Sequence, residues 1–270
     1  MKIKKICCVF VSIAISFTIT GCANSGKSQT SSLSSASESS KMSSQAIASS
    51  LVTEGVVEDQ LALPEEGEQI AIFHVKDYGI IKCRLFPQVA PKAVQNFIGL
   101  SKQGKYDNVQ FHRVLEDFMI QSGGNSQSIY GSGFNVELNQ SLHHYNGALC
   151  AARTTSQTTG QSSQFYIVSS NVGKTADFDS IAKQVSNKYK QQGSKISLQY
   201  SDAVKEKYKE VGGYPGLDMQ YTVFGQAFEG QDVITKIAAC PKSTELSSSG
   251  EYSTPSPEVI LEKVEILNYE

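Results

Sequence analysis

Residues 111–124 read FHRVLEDFMIQSGG. They complete one β-type run, NVQFHRVL at 108–115, contain a second, FMIQSG at 118–123, and stop at a glycine pair. By strand alternation Phe111 faces away from its neighbours and belongs to a core. The remainder is either a buried strand pair that carries an arginine by chance, or half of a working surface built on Arg113, Phe118, Met119 and Gln121. The surrounding chain decides between them.

Upstream, EQIAIFHV (68–75) and GIIKCRLF (79–86) flank a short polar connection and read as a β-hairpin. PQVAPKAVQNFIGLSKQGKY (87–106) has Pro91 at a first helical position, Val94, Phe97 and Ile98 at helical spacing, and Gly104 as a stop. Downstream, GALCAAR (147–153), SQFYIVS (163–169) and QYTVFGQAF (220–228) are further β-type runs. A short helix follows at GQDVITKIAA (230–239), and EVILEKVEILNY (258–269) ends the pattern with near-alternating apolar residues. Many strands with two helices and no β-α-β rhythm predict a mainly β fold, an antiparallel sheet closing on itself with helices at its ends. The folded region is expected to begin near residue 68 and to run to residue 270.

The N-terminus has a different composition. Lys2, Lys4 and Lys5 precede an uncharged, mostly apolar run that ends at Gly21-Cys22. The run is shorter than the ~20 apolar residues a spanning helix needs, so residues 1–21 read as a secretory signal. ITGC resembles a bacterial lipobox, which makes Cys22 the expected lipidation site and predicts an extracytoplasmic protein anchored to the cell membrane by lipid. Residues 23–50 contain thirteen serines and no aromatic residue. Such a stretch cannot bury enough apolar surface to offset its ordering entropy, so residues 22–67 are expected to form a disordered tether.

Charge and cysteine usage exclude several classes. The formal net charge of −2 becomes −5 once the signal and its three lysines are removed, so no basic face invites nucleic acid. Cys83 and Cys150 sit in apolar runs and read as buried small hydrophobes, and no cysteine spacing suggests zinc. The His143-His144 pair falls in a loop without the carboxylates or cysteines a metal site wants, and His112 reads as structural. No metal or cofactor is expected, and the protein is expected to be a monomer.

Three segments in order, FHRVLEDFMIQSGG, GALCAAR followed by SSQFYIV, and LDMQYTVFGQAFEG, resemble the successive signatures of the cyclophilin family of peptidyl-prolyl cis-trans isomerases, over about residues 69–268. The resemblance implies a closed eight-stranded antiparallel barrel capped by two helices, and an enzyme that rotates Xaa-Pro peptide bonds. It assigns Arg113 as the catalytic arginine and Gln121 as the residue that keeps it, or the substrate backbone, in register. It assigns Phe118, Met119, Tyr166 and Leu217 to the proline pocket, and Ala152, Arg153 and Tyr221 to substrate contact; strand alternation, as for Phe111, puts Phe165 in the core. The chain departs from the family pattern at Tyr166, Tyr221, Arg153 and Met219, and at Gly216, where a large ring is common and whose absence weakens the site for cyclosporin-type ligands. Residues 174–211 form an insertion, lysine-rich with apolar residues at helical spacing, which reads either as a solvated decoration or as an arm bordering the proline pocket. Together these features predict an isomerase that assists the folding of exported proteins and takes their Xaa-Pro segments as substrates. The alternative is a weakly catalytic or non-catalytic module that holds proline-containing segments.

Overall fold

The computed structural model describes residues 51–153 and 160–270. The signal, Cys22 and the serine-rich segment up to residue 50 lie outside the described residues. The chain packs onto the domain from Leu51 onward, with Leu51, Val57 and Gln60 buried, so residues 51–67 are part of the folded unit and not of a tether.

Among the described residues nine strands form one antiparallel sheet: β1 (Gln69–Val75), β2 (Gly79–Leu85), β3 (Val109–Gln110), β4 (Arg113–Leu115), β5 (Phe118–Ser122), β6 (Ala148–Ala151), β7 (Phe165–Ser169), β8 (Val223–Glu229) and β9 (Ile260–Asn268). Their order is β3-β9-β1-β2-β8-β6-β7-β5-β4. The expected closed eight-stranded barrel is therefore corrected to a curled, nine-stranded sheet whose edges are β3 and β4. These two strands follow one another with only residues 111 and 112 between them. The two-residue turns that match the twist of a hairpin need positive φ, which neither residue has, and β3 and β4 do not pair with each other. The chain after β8 covers the gap instead: Phe111 N–H donates to Val259 O at 2.9 Å and Val114 N–H to Ser253 O at 2.7 Å.

Helix α1 (Pro91–Lys102) begins at Pro91, as its sequence predicts, and buries Val94, Phe97 and Leu100. Ala90 has no side chain to cap it, and the Glu137 carboxylate accepts from the backbone of Lys92 and Ala93 at 3.1 and 2.9 Å in its place. Phe97 meets Phe73, Tyr106, Phe165 and Phe224 with ring centroids 5.2–5.7 Å apart, the spacing of tilted and edge-on aromatic pairs. These rings lie between the sheet and α1, with α4 (Gln231–Ala238) adding Ile234 and Ile237.

The insertion is the helical pair α2 (Phe178–Gln191) and α3 (Asp202–Val211), each started by a polar cap, Asp177 on Ser180 N–H and Ser201 on Val204 N–H. It is not a solvated decoration. Phe178, Val185, Tyr189, Tyr200 and Tyr208 are buried in a second apolar cluster with Leu51, Val136, Leu138, Tyr145 and Met219. Where the insertion ends, Gly213 passes so close to the His144 carbonyl that a Cβ would stand 2.3 Å from it, at a φ of 125° that side chains avoid.

A buried carboxylate ties the insertion to the sheet. Asp218 is 1 % exposed. It accepts from His144 N–H (2.7 Å), His144 Nδ1 (2.8 Å), His143 Nδ1 (3.1 Å) and the Tyr208 hydroxyl (2.8 Å). The histidine pair thus does have a carboxylate partner, brought from some seventy residues away, and it serves packing. Burial alone would raise the Asp218 carboxyl, but the hydrogen bonds and charges of His143 and His144 outweigh it and hold it well below the ordinary 3.8. The stability linked to this group is therefore complete above pH 3.8 and is lost only as the pH falls through the depressed folded value. In Asp218→Asn an amide N–H would oppose at least one of these donors. The expected loss is about 2–4 kcal/mol of unfolding free energy, read by denaturant melts at pH 7, with Tyr208→Phe costing about 1 kcal/mol.

Candidate active site

The β4–β5 hairpin builds the first wall. Asp117 takes a left-handed φ of 56° in its turn, and the resulting register sets Arg113 opposite Gln121 and Leu115 opposite Met119. Directly opposed residues project from the same face, which places the arginine and the glutamine side by side. β7 adds Tyr166 opposite Gln121, while Val114, Ile120 and Phe165 turn to the core from the other face. Ala152 and Arg153, just after β6, and Leu217 and Tyr221, in the approach to β8, complete a groove of about 530 Å³. All nine residues singled out in the folded region line it, and Ser249 and Glu251 join them. Cys22 lies outside the described residues.

The Arg113 guanidinium is held on two sides. Nε and Nη2 donate to the two Glu251 oxygens at 2.7 and 3.0 Å, and Nη1 reaches Gln121 Oε1 at 3.4 Å. Gln121 Nε2 in turn donates to Gln164 Oε1 at 2.9 Å. A bidentate fork and an amide relay fix the plane and the direction of the cation. Its carbon stands 5.8 Å from the Phe118 ring centroid. The Arg113 hydrogen bonds hold the Glu251 carboxyl below its usual 4.5, so the pair is ionised at neutral pH. Desolvation, and next the Arg113 charge, hold His112 below 6.5.

The apolar part is walled by rings. Phe118 packs on Tyr214 with centroids 4.7 Å apart, so Tyr214 supplies an aromatic surface beside Gly216, where the sequence has no ring. Tyr166 is 5 % exposed, and its hydroxyl meets His144 Nε2 at 3.1 Å behind the groove. The ring, not the polar tip, therefore faces a ligand. Met219 takes a left-handed φ of 56°, an unfavourable conformation that its burial against the insertion offsets, and the Tyr189 hydroxyl donates to its carbonyl. The arrangement offers a fixed cationic donor above an apolar recess. Burial pushes the nearby Cys150 thiol up, which removes it as a nucleophile at neutral pH.

Four contributors escaped sequence reasoning. Gln164 was within reach, since alternation puts it on the same face as Tyr166 two residues later. Glu251 and Ser249 come from a loop more than 130 residues beyond Arg113, and Tyr214 from the end of the insertion, and no local pattern marks them.

A family profile described as cyclophilin type peptidyl-prolyl cis-trans isomerase matches residues 70–266. Staphylococcal relatives carry peptidyl-prolyl cis-trans isomerase in their names. One from Staphylococcus epidermidis is 32% identical over 213 residues, covering 77% of this chain and 96% of its own. Another from Staphylococcus saprophyticus is 32% identical over 214 residues, 77% and 97%. Among solved structures, a Cryptosporidium parvum cyclophilin determined in the presence of the dipeptide Ala-Pro shares the fold, with a TM-score of 0.53 and 23% identity over 74% of this chain and 99% of that one.

The ion pair at the groove can be read by carboxyl NMR. Glu251 is expected to titrate below 4.5 in the parent and to move back toward it in Arg113→Ala. The stability linked to the pair is present above pH 4.5 and fades as the pH falls through the lowered value, so the acid limb of the stability curve flattens in the variant. An unchanged Glu251 titration would show that the pair does not form in solution.

Proposed function

The chain belongs to the cyclophilin-type peptidyl-prolyl cis-trans isomerases, and from that premise we propose that its groove turns Xaa-Pro bonds of exported proteins at the outer face of the cytoplasmic membrane. The observation that carries the site reading is the Arg113 guanidinium, clamped by Glu251 and steered by Gln121 at the edge of a recess floored by Met119.

Partial double-bond character sets a barrier of about 18–20 kcal/mol to rotation about the peptide bond. No bond breaks, so no nucleophile is required. The pyrrolidine ring enters between Phe118, Met119, Tyr166 and Leu217, whose aromatic faces and thioether accept it without polar cost. In the twisted transition state the prolyl nitrogen regains its lone pair, and a donor that reaches it there stabilises the twist and not the planar ground states. Arg113 supplies that donor, and the Gln121–Gln164 relay with Glu251 keeps it from swinging with the substrate. A preorganised donor of this kind is worth about 3 kcal/mol, near a hundredfold in rate.

The cationic start, short apolar run and ITGC ending support export and lipidation at Cys22. Two or more acyl chains on Cys22 would give stable anchoring, where one holds only marginally. With the domain packed from Leu51 onward, the serine-rich residues up to 50 give the groove a reach of about 30 Å from the membrane, suited to chains emerging there.

NMR exchange on an Ala-Pro peptide tests the chemistry. The purified protein accelerates exchange, and Arg113→Ala lowers kcat/KM about a hundredfold while still melting in a single cooperative transition. Peptide binding with no acceleration would instead identify a holding module. For the location, Cys22→Ser should shift the protein from the membrane fraction to the soluble one, and unchanged retention would rule out the lipid anchor.

A further inference from the structure

Arg113, Gln121 and Ser249 line not only the apolar recess but also an adjoining groove of about 840 Å³, a size within the roughly 300–1,000 Å³ of ligand-binding clefts. This second groove lies at the break in the sheet. On one side Gln110 ends β3, and Ser248 and Ser249 belong to the loop that carries Glu251. On the other, Asn125 follows the glycine pair and Gln164 precedes β7. The serine rim is held in place: Ser247 N–H donates to Glu251 O at 2.8 Å, Gly250 N–H to Ser247 O at 2.9 Å, and the Ser249 hydroxyl to Glu251 Oε2 at 3.2 Å.

The lining of this groove is polar where that of the recess is apolar. Asn108, Gln110 and Ser248 are exposed, and among the described residues their side chains bond to no protein group. A line of amides reaches the groove from the arginine. Arg113 Nη1 donates to Gln121 Oε1 at 3.4 Å, Gln121 Nε2 to Gln164 Oε1 at 2.9 Å, and Gln164 Nε2 to Asn125 Oδ1 at 3.5 Å. At each step a carbonyl oxygen accepts and the amino group donates onward, so the line ends on the Asn125 amino group with its N–H donors unspent. Amides and hydroxyls on a fixed frame discriminate polar from apolar chain, because a partner without hydrogen-bonding groups leaves them desolvated and unpaired. A substrate whose proline fills the recess and whose chain passes Arg113 and Gln121 lays its next few residues over the groove, at about 3.3 Å per extended residue.

We propose that this second groove is a substrate subsite that binds the polar, uncharged stretch of chain flanking the proline, with Asn108, Gln110, Asn125 and Ser248 supplying the hydrogen bonds. The proposal rests on the isomerase reading of the adjoining recess and names its substrate class, prolines set within Ser-, Thr- or Asn-rich segments.

The test extends the core peptide Ala-Ala-Pro-Ala by Ser-Asn-Ser on its N-terminal or its C-terminal side, with Leu-Ala-Leu as the apolar control at each end, and compares the peptides by NMR exchange. On the side that enters the groove, the polar extension should exceed its apolar control about fivefold or more in kcat/KM, in line with one or two neutral hydrogen bonds. The gain should appear mainly in KM, since a contact remote from the rotating bond is made equally in the ground and transition states. In Gln110→Ala/Asn125→Ala/Ser248→Ala the polar-to-apolar ratio should fall close to one. Because the ratio is internal to each variant, the melting temperature reports folding separately. The side-chain amide signals of Asn108, Gln110 and Asn125 should shift on titration with the favoured peptide and not with the core peptide. Equal turnover of polar and apolar extensions at both ends, or a preference that survives the triple substitution, overturns the proposal while leaving the isomerase intact. If no peptide is accelerated, the isomerase reading fails, and the polar-to-apolar ratio is read from dissociation constants in the same titrations, which decides the subsite on its own.

Discussion

A carboxylate removed from water is tolerated only when its lone pairs are filled, and Asp218 is satisfied by four donors from two other segments. The backbone and both rings of His143 and His144 come from the approach to β6, and Tyr208 from the insertion. Leu217, the residue before Asp218, lines the groove, and Met219, the residue after it, is buried under α2. His144 then passes the constraint on to Tyr166, whose ring lines the same groove. One buried charge thereby sets the relative position of the sheet, the insertion and one wall of the site.

The opposite wall is organised differently. Arg113 lies on an edge strand, where the ladder gives out, and an edge leaves backbone and side chains available to other partners. The chain after β8 takes up that opportunity twice, through the Val114–Ser253 backbone bond and through the Glu251 fork. The break in the sheet and the placement of the arginine are thus one feature: a closed ladder would leave this edge no room for the loop that clamps the guanidinium. Arg113 is held by Gln121 on the neighbouring strand and by Glu251 from outside the sheet, which lets the cation stay fixed at the rim of an apolar recess without being buried in it.

The insertion illustrates how a helical segment is recruited by packing. Its aromatic residues contribute a second cluster that also receives Leu51 and Met219. Met219 accepts a left-handed backbone where glycine would be free of strain, and the contacts of its side chain under α2 compensate. Through the same short stretch, Gln220 joins Lys188 to Arg153 beside the groove.

Much of this was written in local sequence. Alternation placed Phe111 and Phe165 in the core, Pro91 marked the start of a helix, and the ordered motifs brought together Arg113, Phe118, Met119, Gln121, Ala152, Arg153, Tyr166, Leu217 and Tyr221, because these depend on strand period, capping and register within a few residues. Closure of the sheet was not legible, since it turns on whether two strands two residues apart can meet, which is a matter of backbone φ and of a distant covering loop. The Glu251 clamp, the Asp218 cluster and the packing of residues 51–67 were equally invisible. Each joins segments tens of residues apart or more, and complementarity of charge and shape across such a distance exists only once the chain has folded. The sequence alone determined which side chains could line one groove; the tertiary structure decided what holds the arginine still and which distant loop completes the rim.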